Sequence, residues 1–177
     1  AHSLGSVPAF MTVKSSSNVS GWRTYHASLG ATQYVQLQTT AAAATYNIWN
    51  DTTPTDSVFS ISTDVNANGV TYVAYLFASD AGGFGDDGSE NIIKCGSFTV
   101  SSGSARVTLG YEPQFVIVKA ANGTGNWLMF DTMRGMGVGT NVKYLQPNTS
   151  NAEGGGTDFI TPTATGFEIN NLGGAQT

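Results

Sequence analysis

The chain has 177 residues, a net charge of −5, 11% charged residues, 22 glycines and 40% hydrophobic residues. So high an apolar content with so little net charge disfavours disorder. Seven Lys plus Arg without a basic run argue against a nucleic-acid surface, and no stretch approaches the roughly 18 apolar residues of a membrane-spanning helix. The charged fraction lies well below the usual ~25% of globular domains. Thr, Ser, Asn and Gln take its place, as suits the outer faces of β-strands.

Taken in chain order, the predicted elements are short strands separated by turn residues. Phe10–Lys14 alternates, and a Ser-Ser-Ser-Asn cluster follows it. Gly21–His26 alternates next, with Trp22, Thr24 and His26 on one face. Tyr34–Gln38 is a further strand, and the four alanines of Thr40–Thr45 fit either a short helix or a small-residue strand edge. Val58–Ile61 follows Pro54, and Asn66–Gly69 reads as a turn. Val70–Ala78 is long, apolar and β-rich, which predicts a central strand covered on both faces. Phe98–Val100 and Arg106–Leu109 flank a Ser-Ser-Gly-Ser turn. Phe115–Lys119, Trp127–Phe130 and Gly166–Ile169 complete the set. Such spacing predicts an all-β chain, an antiparallel β-sandwich of jelly-roll type.

An internal repeat organises these elements. Pro8, Val13-Lys14, Trp22, Tyr25 and Gly30 are answered by Pro113, Val118-Lys119, Trp127, Phe130 and Gly135, each 105 residues on (113 − 8 = 105). Beyond Gly30 the offset becomes 108: Leu37 is answered by Leu145, Thr53-Pro54-Thr55 by Thr161-Pro162-Thr163, and Ser57, Phe59, Ile61 by Thr165, Phe167, Ile169. A small insertion at Met136–Thr140 accounts for the slip, since surface loops tolerate extra residues. The repeat predicts a first unit over 1–109 that lacks its leading segment, and a second over 110–177 that lacks its last strand. The chain is thus expected to be a segment of a longer array.

Catalytic signals are thin. His2 stands near the first residue, and His26 sits where the second copy carries Asp131, which reads as a polar strand end. No Gly-x-Ser-x-Gly elbow occurs, and His and Cys are too few for a zinc site. The lone Cys95 excludes an internal disulfide and reads as a small buried hydrophobe. The acidic, Gly-rich stretch from Asp80 to Asn91 is the metal candidate: Asp80, Asp86, Asp87 and Glu90 offer the oxygen ligands that Ca²⁺ takes, without EF-hand spacing. Trp22, Trp127, Tyr25 and Trp49 are candidate sugar-stacking rings. Trp22 and Trp127, being matched, read first as packing. Trp49, with Tyr46 beside it and no counterpart in the second copy, is the expected exposed platform. Four glycosylation sequons begin at Asn18, Asn50, Asn122 and Asn148.

Several phrases carry a resemblance: His2-Ser-Leu-Gly-Ser-Val-Pro-Ala-Phe-Met, Trp22-Arg-Thr-Tyr-His-Ala-Ser-Leu-Gly, Trp49-Asn-Asp-Thr-Thr-Pro-Thr-Asp-Ser-Val-Phe, Tyr72-Val-Ala-Tyr-Leu-Phe-Ala, Cys95-Gly-Ser-Phe and Gly110-Tyr-Glu-Pro-Gln-Phe-Val-Ile-Val-Lys. Together they resemble the repeated β domains of bacteriophage virion structural proteins, especially those of marine and cyanobacterial phages. The resemblance spans nearly the whole chain and supplies no catalytic residues. It implies a tail fibre, spike or related surface appendage outside the cell, binding other virion subunits. It further implies a homo-oligomer, with a trimer favoured, and adhesion to a host-surface glycan. A free-standing carbohydrate-binding lectin module and a capsid decoration protein are the alternatives. An enzyme is not expected.

Overall fold

The computed structural model describes residues 1–137, 141–170 and 172, and it is 34% strand and 4% helical, hence all-β. Every strand pairing is antiparallel. Among the described residues no helix is long and apolar enough to cross a membrane. The chain divides into two compact units, Ala1–Leu37 with Ala43–Ser97, and Gln38–Ala42 with Phe98–Thr177. The repeat boundary drawn from sequence at 109/110 differs from this division at Ser97/Phe98.

The first unit is built on a five-stranded sheet. Its strands are β1 (Pro8–Ser15), β2 (Arg23–His26), β3 (Gln33–Gln36), β4 (Ala44–Thr45) and β5 (Tyr72–Ala78), in the order β4-β3-β2-β1-β5. Alternation places Met11, Val13 and Tyr25 on one face. They pack against Ile48, Trp49 and Val65, with Phe59, Ile61 and Leu76 at the margin. Each such burial contributes about 1.5–3 kcal/mol of transfer free energy, and this core is what fixes the sheet's register. The second layer here is largely irregular: Val58–Ile61, expected as a strand, has no ladder partner among the described residues.

The second unit places β6 (Ser104–Thr108), β11 (Ile160–Thr163) and β12 (Gly166–Asn170) in one sheet, ordered β11-β12-β6. β7 (Phe115–Val118) pairs β8 (Leu128–Asp131), and β9 (Val142–Tyr144) pairs β10 (Gly154–Thr157). Val116, Val118, Leu128 and Phe130 from one layer meet Ile160, Phe167 and Ile169 from the other across a single core. Two antiparallel layers closing on one apolar interior is the sandwich arrangement. β6 belongs here because it pairs β12 throughout, from Ser104↔Asn170 to Thr108↔Gly166. Phe98–Val100, expected as a strand, has no ladder partner among the described residues.

The two leading hairpins share one register. Phe10↔His26, Met11↔Tyr25, Thr12↔Thr24 and Val13↔Arg23 in β1–β2 become, 105 residues later, Phe115↔Asp131, Val116↔Phe130, Ile117↔Met129 and Val118↔Leu128 in β7–β8. The turns beyond agree as well. Gly30 N–H donates to Ala27 O and Gly135 N–H to Thr132 O, with φ of +76° and +89° at the two glycines. A strand-end side chain accepts within each turn, His26 Nδ1 from Ser28 N–H and Asp131 Oδ1 from Arg134 N–H.

Beyond Gly30 the pairing departs from the offset of 108. Tyr34 faces Ala44 in β3–β4, and Tyr144 faces Gly154 in β9–β10. Thr24 faces Val35 as Met129 faces Leu145. These partners lie 110 apart (144 − 34 = 110), so Val35, rather than Leu37, stands in the place of Leu145. A two-residue shift leaves every side chain on the same face, so the apolar pattern cannot distinguish 108 from 110. Register at 108 returns by the next turn, where Thr55 N–H meets Val58 O as Thr163 pairs Gly166. Of the expected insertion at Met136–Thr140, residues 138–140 lie outside the described residues.

Candidate functional site

Trp49 is not an exposed platform. It is fully buried at 0% exposure, its ring stands edge-on to Tyr25, and its Nε1–H donates to Gln33 O at 3.1 Å. Within the first unit Ser62 N–H donates to Ile48 O, and within the second Asn170 N–H donates to Phe159 O; the residues that follow the two acceptors, Trp49 and Ile160, are each fully buried in their own unit's core. Tyr46 is exposed but stands without Trp49 at the surface. Trp127 is buried as expected, and Tyr25 lies in the core.

Asp86, Asp87 and Glu90 line one open cleft with Gly85 and Ser89, and Asp80 is not among its lining residues. Asp80 is held by Lys94 Nζ at 2.7 Å. Asp87 turns back on its own loop, accepting from Ser89 N–H at 2.9 Å and Ser89 Oγ at 2.6 Å, and these bonds lower its pKa. Among the described residues no three His, Cys, Asp or Glu side chains gather into a metal-binding group. The expected Ca²⁺ set of Asp80, Asp86, Asp87 and Glu90 is therefore not assembled. The loop closes on itself through Gly83 N–H to Gly88 O, Glu90 N–H to Phe84 O and Gly82 N–H to Asn91 Oδ1. At Gly85, with φ +77°, a Cβ would lie 2.6 Å from Glu90 Cδ.

The surface feature of the first unit lies on the outer face of β1 and β5. β5 is the last strand of its sheet, not a central one as its continuous apolar sequence suggested. Its register on β1 sets Phe77 opposite Phe10, Tyr75 opposite Thr12 and Val73 opposite Lys14. Val73, Tyr75 and Phe77 are exposed at 41%, 53% and 40%. The Phe10 and Phe77 rings meet at 5.9 Å and 61°, and Trp22 lies 6.3 Å from Tyr75, tilted by 31°. On the same face Thr12 Oγ1 and Thr24 Oγ1, both buried, hydrogen-bond at 3.1 Å. A cleft of about 400 Å³ opens at the far end of β5, lined by Leu4, Leu76, Phe77, Phe84, Ile92 and Ile93.

This arrangement can bury apolar surface or stack against a flat ring. Tyr and Trp suit both, since each offers a large apolar body with a polar tip. The sequence singled out Trp22 but not Tyr75 or Phe77. The period of two in Val73, Tyr75 and Phe77 was present, yet periodicity cannot say whether a strand is covered.

Burial shifts several titratable groups, His26 and Cys95 among them. Desolvation lowers the pKa of His26. It also raises that of Cys95, assisted by the Asp80 charge. Cys95 is half-buried, and its N–H donates to Ser79 Oγ at 3.1 Å.

A family model described as a domain of unknown function (DUF7483) matches residues 1–176. No curated protein and no solved structure matches the chain.

Proposed function

We propose, for a chain that belongs to the DUF7483 family, that it is a non-enzymatic structural module of a bacteriophage virion surface appendage, a tail fibre or spike. It binds other virion subunits, assembles as a homo-oligomer of trimeric type and presents its outer face for adhesion to a host-surface glycan. The phage assignment rests on the sequence resemblance. The observation that carries the assembly role is the apolar edge strand β5, with Val73, Tyr75 and Phe77 exposed beside Trp22. A solvated monomer normally blunts its sheet edges with charge, bulges or cover, and a contiguous exposed apolar row marks an interaction surface. The reading includes a duplicated unit, supported by the shared hairpin register.

The test is the solution mass of the chain over a range of concentrations, with Tyr75→Asp as the surface variant. An oligomer that dissociates in the variant is the expected result. A monomer at every concentration would remove the assembly role. A second reading, a lectin-like module, draws on the Trp22–Tyr75 pair. A compact monomer that binds one defined sugar on a glycan array, and loses it in Tyr75→Ser, would establish that reading instead.

A further inference from the structure

We propose that the free edge of β7 is an acceptor for one antiparallel strand with the chemistry of β5, alternating aromatic and branched apolar residues, without proline or charge. Three observations converge on it. β1 is paired on both sides, by β2 and by β5, whereas β7 among the described residues is paired only by β8. The β7–β8 hairpin repeats the register of β1–β2 residue for residue at 105, so the edge of β7 left open corresponds to the edge of β1 that β5 covers. Finally, Phe10 is half-buried with Phe77 of β5 at 5.9 Å, while Phe115, its equivalent, is 53% exposed. The free edge and the exposed ring lie together, so both fit a strand carrying an aromatic residue where β5 carries Phe77.

The incoming strand is defined by the β1–β5 pairs. Phe10↔Phe77, Met11↔Leu76, Thr12↔Tyr75 and Val13↔Ala74 translate to Phe115, Val116, Ile117 and Val118. An aromatic residue would then cover Phe115, and an aliphatic residue would extend the core face beside Val116. Strand addition to a free edge draws its affinity from main-chain hydrogen bonds and its selectivity from alternate side chains. The inference does not depend on the fibre reading, which concerns the face and edge of β5.

The probe is a synthetic peptide of this chain's own residues 71–79, Thr-Tyr-Val-Ala-Tyr-Leu-Phe-Ala-Ser, added to the intact protein. Saturable binding is expected, with amide exchange across residues 115–118 slowed by about tenfold or more, since edge N–H groups exchange from the open state. A peptide with Tyr75→Pro, which lacks a ladder N–H, should not bind. The protein variant Phe115→Asp, at an exposed position, should fold and bind weakly. Absence of saturable binding overturns the inference, as does protection confined to β1 or β4, the signature of displaced β5 or of generic edge pairing. It is also overturned if residues 115–118 become protected with protein concentration alone, unaffected by peptide, for a second copy then holds the edge.

Discussion

Trp49 meets Tyr25 edge to face, ring centres 5.7 Å apart at 82°, inside the first unit's core. Its one polar atom is satisfied by Gln33 O, so the indole contributes packing without leaving a buried donor unpaired. Truncation would remove that packing and open a large void. Trp49→Ala should therefore lower unfolding free energy by about 3–5 kcal/mol, measured by denaturant titration, whereas Tyr46→Ala should stay within about 0.5 kcal/mol. A stable Trp49→Ala protein would show that the first unit is held elsewhere.

Gly166 stands at the turn into β12, where a side chain has no room. A Cβ at Gly166 would lie 2.0 Å from Val107 O, a backbone atom of the neighbouring strand β6. Val58, which the sequence pattern aligns with it in the first unit, is 45% exposed and has no ladder partner among the described residues. Gly166→Ala must part β6 from β12, and overpacking of this kind costs about 1–3 kcal/mol. Thermal unfolding of Gly166→Ala against Val58→Ala checks it: the first should lose several degrees and the second almost none.

Legibility in the sequence followed side-chain pattern. β1, β2, β7 and β8 were readable because a period of two was written in apolar residues on both strands of each hairpin. β10, Gly-Gly-Gly-Thr, offers no such pattern, and β11 contains Pro162, which argues against a strand yet is tolerated on β11, the edge of its sheet. Val58–Ile61 and Phe98–Val100 have strand chemistry without a strand beside them. Pairing is a property of two segments, which one segment's composition cannot declare. The same limit hid the candidate site: the apolar run of β5 reads alike whether it is sandwiched or left at an edge, and only topology exposed Tyr75. Trp49 erred the other way, because a ring without an aromatic match in the second copy reads as unneeded for packing, yet it fills the first unit's core.

Cys95 should be slow to alkylate. Burial raises its pKa, and the nearby Asp80 charge raises it further, so the thiolate is scarce near neutral pH. Iodoacetamide should modify the folded protein more slowly than the unfolded chain at pH 7.5. Asp80→Asn should recover a minor part of the difference, because burial is the larger cause. If Asp80→Asn restores the full rate of the unfolded chain, charge rather than burial controls the thiol.

His26 gives the fold a pH dependence whose sign can be worked out. Its Nδ1 accepts from Ser28 N–H at 3.1 Å, a bond open only to an unprotonated nitrogen, and burial lowers its pKa from the ordinary 6.5. Below pH 6.5 the unfolded chain therefore binds a proton that the folded chain resists. Stability rises with pH wherever the unfolded state holds more protons. His26 accordingly imposes no penalty above its unfolded pKa, and a penalty that grows as pH falls toward the depressed folded value. In His26→Asn, which keeps a side-chain acceptor without a titrating ring, the decline in urea midpoint between pH 7.5 and pH 5.5 should be shallower than in the wild type. Parallel declines in the two proteins would assign the acid sensitivity to the carboxylates instead.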